Sequence, residues 1–202
     1  ASMFAAFGID VTLIDRRTQL LRFMDQEIAQ ALDSQIRQNG VTIRFNEDIR
    51  EITHDDQGRP VVLIRNGDRV TADMLLYTMG RIGNTEALNL DAISLKTDAQ
   101  GQLQVNRHYQ TAIPHIYAAG DVIGFPALAA TSMEQGRLAA CHACQVTDAH
   151  EIKVIPYGIY SIPEVSMVGQ TEEELTASGL QHATGRAHYR EMARGHITGD
   201  LH

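Results

Sequence analysis

These 202 residues predict an α/β fold built on a doubly wound parallel sheet, and three observations carry the prediction. Val11-Thr12-Leu13-Ile14 is a short, apolar, partly β-branched run of the kind a buried parallel strand needs. A helical pattern follows, with Ile28, Leu32 and Ile36 at four-residue spacing, an N-cap candidate at Asp25 and a stop at Asn39-Gly40. Val41-Thr42-Ile43-Arg44-Phe45 then supplies a second strand, so residues 1–46 read helix, strand, helix, strand. The first helix ends at Gly8, whose missing Cβ suits a left-handed C-cap.

Beyond residue 46 the pattern changes. Ile49 to His54, Val61 to Arg65 and Val70 to Tyr77 are strand-like, and Gln57-Gly58 and Asn66-Gly67 are turn signals between them. An antiparallel meander is expected there. Residues 80–112 are loop-rich. His115-Ile116-Tyr117-Ala118-Ala119 reads as a short strand running into Gly120-Asp121, and a helix is expected from about Ala127 to Val146. Farther on, Ile159-Tyr160 and Val165 to Val168 look like strands. Thr171-Glu172-Glu173-Glu174 has the spacing of a capping box opening a short helix that Gly179 stops.

Composition narrows the function classes. Apolar residues make up 44% and charged residues 21%, as in ordinary globular proteins. A formal net charge of −8 argues against general nucleic-acid binding, which needs clustered Lys and Arg. With no Trp and 5% aromatics, a stacking platform for single strands is not expected either. No apolar run approaches the roughly 18 residues of a membrane span. Two cysteines make no disulfide scaffold, so a reducing cytoplasm is the expected location. No zinc-protease spacing or nucleophile elbow occurs, and neither hydrolysis nor a metal site is expected.

Three clusters are candidates for chemistry. Asp15, Arg16 and Arg17 end the opening strand, with Arg22 seven residues past Asp15. In a dinucleotide fold a carboxylate there accepts hydrogen bonds from ribose hydroxyls, whereas arginines grip a 2′-phosphate. The same residues also suit a plain charged loop at a strand end. The second cluster is Gly120-Asp121 followed by a helix opening at Ala127-Leu128-Ala129-Ala130. Backbone at a glycine can approach a ligand closely, and free N–H groups at a helix start favour negative charge. That geometry suits a flavin, though a simple strand-to-helix turn would look the same. The third is Cys141-His142-Ala143-Cys144, with His150 near, which reads as a redox pair, half of a metal site or a structural helix end. Its place toward the end of a helix favours the structural reading.

Taken in order, four motifs form a resemblance. They are Thr78-Met79-Gly80-Arg81-Ile82-Gly83-Asn84-Thr85, His115 to Asp121, Leu128-Ala129 to Gly136-Arg137, and Ile162-Pro163-Glu164-Val165 to Val168-Gly169. Over essentially its whole length the chain resembles the pyridine nucleotide–disulfide oxidoreductases, which are FAD flavoproteins. Gly83-Asn84-Thr85, where many relatives have Pro-Asn-Thr, is closest to members that move hydride between NADPH and NAD⁺. So are Leu21 to Glu27 and Ile155 to Glu164.

The resemblance implies residues 1–80 as a Rossmann-like NAD(P) domain without its first strand and Gly-rich turn. Residues 81–152 would be the C-terminal part of the FAD domain, and residues 153–202 the start of an α+β interface domain through which the family forms homo-oligomers. It implies Asp121 at the ribityl chain of FAD beside Gly120, with Ala127, Leu128, Ala129 and Ala130 against its ring. Gly80 and Arg81 would lie near the nicotinamide nucleotide, Ile49 near its adenine, and Asp15, Arg16 and Arg17 at the adenosine ribose of NAD or NADP.

Both ends look cut, so an internal fragment, inactive and poorly stable by itself, is expected. The family's N-terminal FAD strand, its paired redox cysteines and its C-terminal His-Glu pair have no counterpart in these residues. Cys141 and Cys144 do not align with the redox cysteines. Two rivals remain: a disulfide reductase of the same fold, such as a dihydrolipoamide dehydrogenase, and a non-catalytic nucleotide-binding module.

Overall fold

In a computed structural model, residues 1–146 and 154–199 are described. His150 and the expected boundary at residues 152 and 153 lie outside them. The described residues form two units. The first comprises residues 1–46, 160–165 and 169–199, and the second residues 47–159 and 166–168, within that description.

The first unit carries the expected alternation. Helix α1 (Ser2–Ala6) ends before Gly8, which has φ +79°. Strand β1 (Val11–Ile14) then pairs in parallel with β2 (Val41–Arg44), Val11 facing Val41 and Leu13 facing Ile43. Between them runs α2 (Gln26–Gln38), opened by Asp25, whose carboxylate accepts the Glu27 N–H at 3.0 Å. Leu32, Ile36, Val41 and Ile43 are buried together, with Leu13, Phe45 and Val165 packed around them. Each such side chain contributes about 1.5–3 kcal/mol on burial. Ile28 departs from the four-residue pattern: it is 45% exposed and Ala29 is buried instead. A helical face drifts by about 20° per seven residues relative to a 3.5-residue repeat, so one position of the first turn is traded for its neighbour.

Asp25 also reaches α4 (Glu172–Ala177) by accepting the Glu172 N–H at 3.2 Å, while Glu173 accepts the Gln26 N–H at 3.0 Å. The starts of two helices therefore satisfy each other's free donors. The capping box at Thr171 and Glu174 is formed in both directions. A last short helix, α5 (Ala193–Thr198), follows.

The second unit contains the meander. Strand β3 (Ile49–His54) pairs antiparallel with β4 (Pro60–Ile64), which pairs with β5 (Arg69–Thr71). Gly58 and Gly67 occupy the two turns at φ +77° and +99°. The third strand is shorter than residues 70–77 suggest. Ala72 donates to Pro60 at 3.2 Å and the chain then leaves the ladder, exposing Met74, Leu76 and Tyr77. Their apolar pattern alone cannot make a strand without a backbone partner.

Residues 115–119 are likewise not a strand. A single bridge joins Gln110 to Tyr117, and the Thr111 hydroxyl closes the turn by bonding the Ile113 N–H and the Ile116 carbonyl. These local bonds, and Pro114 with no N–H to give, take the donors that a ladder would use.

Helix α3 runs from Ala129 to Ala143, two residues later at its start and three shorter at its end than expected. Strands β6 (Tyr157–Ile159) and β7 (Val165–Met167) pair with each other. Gly136 sits inside α3, and a Cβ there would meet nothing within 4 Å. Gly136→Ala is therefore expected to raise stability by about 0.5–1 kcal/mol through helix propensity and reduced unfolded-state freedom. A lower urea midpoint would contradict this.

Candidate functional site

In the first unit, Asp15 extends β1 by donating its N–H to the Arg44 carbonyl at 2.9 Å. Its side chain is engaged by one neighbour. The Arg17 N–H reaches Oδ1 at 2.9 Å, Nε reaches Oδ1 at 3.0 Å and Oδ2 at 3.1 Å, and a terminal nitrogen reaches Oδ2 at 2.7 Å. The pattern is a forked ion pair closed over two residues. The side-chain bonds from Arg17 hold the Asp15 carboxyl below its ordinary range, against the opposing pull of partial burial. Arg16, adding positive charge beside Asp15, is exposed. The sequence shows the three charges but not this division: Arg17 is spent on Asp15, and Arg16 projects beside the pair.

Because the folded pKa of Asp15 is depressed, its stabilising contribution is present above about pH 4, the ordinary carboxylate value, and is lost as pH falls through the folded pKa. The stability gap between the parent chain and Asp15→Asn should thus be open at neutral pH and close on acidification below about pH 4. Denaturant midpoints measured across that range check it. A gap that stays constant would contradict it.

In the second unit, a short 3₁₀ turn at Gly120–Ile123 leads to α3. Gly120 has φ +81°, and a Cβ there would crowd the Ser132 hydroxyl at 3.1 Å. Its N–H donates at 2.7 Å to the side-chain oxygen of Gln135, which is 4% exposed. That bond ties the turn to the second helical turn of α3. Next to it, Asp121 presents its carboxylate outward and meets Arg81 at 3.5 Å.

Helix α3 begins without a capping side chain: Leu128 is the N-cap and makes no side-chain bond. The first N–H groups of a helix have no partner within it, and here the residues around them, Ala127, Ala129 and Ala130, are small and exposed. Within the first turn, the fully buried Thr131 hydroxyl has no hydrogen-bond partner among the described residues. Such an end can receive an anionic or carbonyl group.

Gly80 has φ +114°. Gly83 packs against Gly101 so closely that a Cβ on Gly83 would overlap the Gly101 carbonyl. The Gly83 N–H bonds the Gln100 carbonyl at 2.7 Å, and the buried Thr85 hydroxyl bonds the Gly101 carbonyl at 2.8 Å. Ile49 stands opposite Ile64 at the edge of a β-bulge in the meander.

Arg81 with Asp121, and Gly120 with the start of α3, are thus brought together within the second unit. Asp15, Arg16 and Arg17 lie in the first. Sequence reasoning missed Gln135. It lies with Thr131 and Ala139 on the buried face of α3, a polar residue where an apolar one is the norm, and that burial shows only in the structure.

The model of the pyridine nucleotide-disulphide oxidoreductases matches residues 1–136, and that of their dimerisation domain matches residues 155–202. The chain belongs to this family. Among curated proteins it is similar to the soluble pyridine nucleotide transhydrogenases of Chromohalobacter salexigens and Pectobacterium atrosepticum. The first is 46% identical over 200 residues, 99% of this chain and 43% of the relative. The second is 48% identical over 98% of this chain and 42% of its own length.

Among solved structures it resembles LpdA from Mycobacterium tuberculosis, with a TM-score of 0.90, 25% identity, and coverage of 99% of this chain and 44% of that one. It also resembles the HOCl-induced flavoprotein disulfide reductase RclA from Escherichia coli, with a TM-score of 0.89, 26% identity, and coverage of 99% and 46%. The chain spans about 43% of the length of the curated relatives it matches.

Proposed function

We propose that the protein carrying these residues is an FAD-dependent oxidoreductase that moves hydride between NADPH and NAD⁺. The observation that carries this reading is the 46–48% identity to relatives named soluble pyridine nucleotide transhydrogenase, along nearly the whole chain. Identity to the disulfide reductase RclA is 26%, which favours hydride exchange over disulfide reduction.

The donor set fits a flavin. The uncapped start of α3 and the small, exposed residues Ala127, Ala129 and Ala130 suit a flat ring with carbonyl edges. In this reading Asp121 accepts from the ribityl hydroxyls and Gly120 lets the backbone approach. The dipole of α3 stabilises negative charge at the carbonyl edge. What FAD supplies when bound is acceptance of a hydride from one nicotinamide and its return to another. The chain's own residues bind, orient and balance charge. Arg81, in contact with Asp121, and Gly80 lie toward the nicotinamide nucleotide. Ile49 lies toward its adenine.

The division at Asp15, Arg16 and Arg17 gives each nucleotide a partner. Arg16 attracts the 2′-phosphate of NADPH, while Asp15, released from Arg17, accepts from the ribose hydroxyls of NAD⁺. Arg16→Ala is expected to weaken NADPH binding by about tenfold, the loss of one charge-assisted contact, and to leave NAD⁺ within about twofold. Equal loss for both nucleotides would defeat the assignment.

Residues 1–80 then serve as the nucleotide domain, 81–152 as part of the FAD domain and 153–202 as the start of an interface through which the protein forms homo-oligomers. A cytoplasmic location belongs to the same reading. The 202 residues contain no G-x-G-x-x-G turn, so expressed alone they are expected to be inactive. The test is hydride exchange from NADPH to an NAD⁺ analogue by the protein as its own gene encodes it, without added disulfide. Turnover supports the proposal. NADH-linked turnover of a disulfide without exchange would replace it with the reductase rival.

A further inference from the structure

The charged residues at 15–17 open a loop that runs from the end of β1 to the start of α2, and this loop is held away from a locally preferred shape. Leu21 has φ +44°, a left-handed conformation that a residue with a Cβ adopts only at a cost. The loop's entry is fixed from nearby. Asp15 bonds the Arg44 carbonyl and forks with Arg17, and the Arg17 carbonyl accepts the Asn46 N–H at 3.1 Å. Farther along, the Met24 N–H closes a turn on the Leu21 carbonyl at 2.9 Å. Met24 is buried, and Leu20 and Leu21 pack against the core of the first unit. Apolar burial has no preferred direction, so it keeps these side chains inside without choosing the backbone of the turn between them.

Directional bonds at the loop's exit make that choice, and they come from α4, 147 residues later in the chain. Asp25 divides its carboxylate. Oδ1 caps its own helix by accepting the Glu27 N–H at 3.0 Å, and Oδ2 accepts the Glu172 N–H at 3.2 Å. Glu173 returns the contact, its Oε1 accepting the Gln26 N–H at 3.0 Å. Loss of the Glu172 bond would leave the local cap in place while freeing the carboxylate to turn. Arg186 and Glu27 also tie the two segments at 2.7 Å, but each side chain is more than half exposed, and such a pair holds little.

We propose that Glu172 and Glu173 are positioning residues for nucleotide selection: through Asp25 and Gln26 they hold residues 18–25 in the strained turn that presents Arg22. Arg22 is exposed and, with Arg16, gives the loop the positive charge that favours a 2′-phosphate. Asp15 belongs to the extended end of β1 and does not depend on the loop's exit. The preference for NADPH is therefore set from α4, whereas the ribose contact of NAD⁺ is not. This consequence rests on the nucleotide role proposed above for the loop; the hold of α4 on the turn does not.

Position 172 allows that hold to be removed selectively. Glu172 is the first residue of α4 and follows Thr171 at φ −83° and ψ 162°. Proline is favoured at such a position, and the residue before it already has the extended backbone that proline requires. Glu172→Pro thus deletes the N–H that Asp25 accepts and leaves the helix intact, while Glu172→Ala removes the same side chain and keeps the N–H.

The test uses the protein as its own gene encodes it. Amide hydrogen exchange over residues 18–24 should run about fivefold faster in Glu172→Pro than in Glu172→Ala, the scale of one lost hydrogen bond. Glu173→Ala should speed exchange similarly, and Glu173→Gln, which keeps an acceptor oxygen, should not. The dissociation constant of NADPH should rise about three- to fivefold in Glu172→Pro, with that of NAD⁺ unchanged within about twofold. Exchange alike in the proline and alanine variants would overturn the proposal, as would faster exchange with NADPH binding unchanged or with an equal loss for both nucleotides. A parent protein that binds no NADPH would count against the function proposed above, and the exchange comparison would still decide whether α4 holds the turn.

Discussion

Gly83→Ala is expected to lower stability by about 3 kcal/mol or more, the range of a backbone overlap that side chains cannot relieve. The added Cβ would occupy the space of the Gly101 carbonyl carbon and oxygen. Retreat of the 101 segment is blocked because its partner is also constrained. Gly101 has φ +72°, and a Cβ on it would meet the Gly83 carbonyl oxygen at 2.7 Å. Separating the two strips breaks the Gly83–Gln100 bond and leaves the Thr85 hydroxyl, 4% exposed as a residue, without its Gly101 acceptor. A buried group so orphaned costs a further 1–3 kcal/mol. The urea midpoint of the variant, compared with that of Gly136→Ala, measures the effect. A midpoint near the parent's would show that the two backbones are not in contact.

Replacement of Gln135 by leucine is the second large effect. The volume is nearly kept, but the buried Gly120 N–H loses its acceptor at 2.7 Å. Stability should fall by about 1–3 kcal/mol. The consequence for function is specific, because that bond holds the turn carrying Asp121 against α3. On the proposed assignment the variant should lose flavin on gel filtration faster than the parent protein. Loss of stability with unchanged flavin retention would separate the turn's structural role from the cofactor.

The sequence makes legible whatever rests on local chemistry. The Asp25 cap, the capping box at Thr171 and Glu174 and the left-handed glycines at 8, 58 and 67 all follow from short-range preferences. Elements that need a distant partner are harder to read. Residues 72–77 have strand-like composition, yet Met74 is 82% and Leu76 71% exposed, because composition cannot supply the neighbouring backbone. The 115–119 segment fails for the opposite reason: Thr111 and Pro114 satisfy or remove the local donors first.

At the candidate site the charges at 15–17 and the Gly-Asp pair are visible as residues. The fork between Asp15 and Arg17 and the Gln135 anchor are not, since both depend on rotamers and burial. Gly83 illustrates a further gap. Its motif is evident, but the reason for a glycine there is the Gly101 backbone eighteen residues away.

The most direct test of the central claim is anaerobic mixing of the purified protein with NADPH and then with excess NAD⁺, following the visible flavin band and the nucleotide products. NADPH should bleach the band, NAD⁺ addition should restore it, and one NADH should form for each NADPH consumed. A band that bleaches but returns only when a disulfide is added would contradict it.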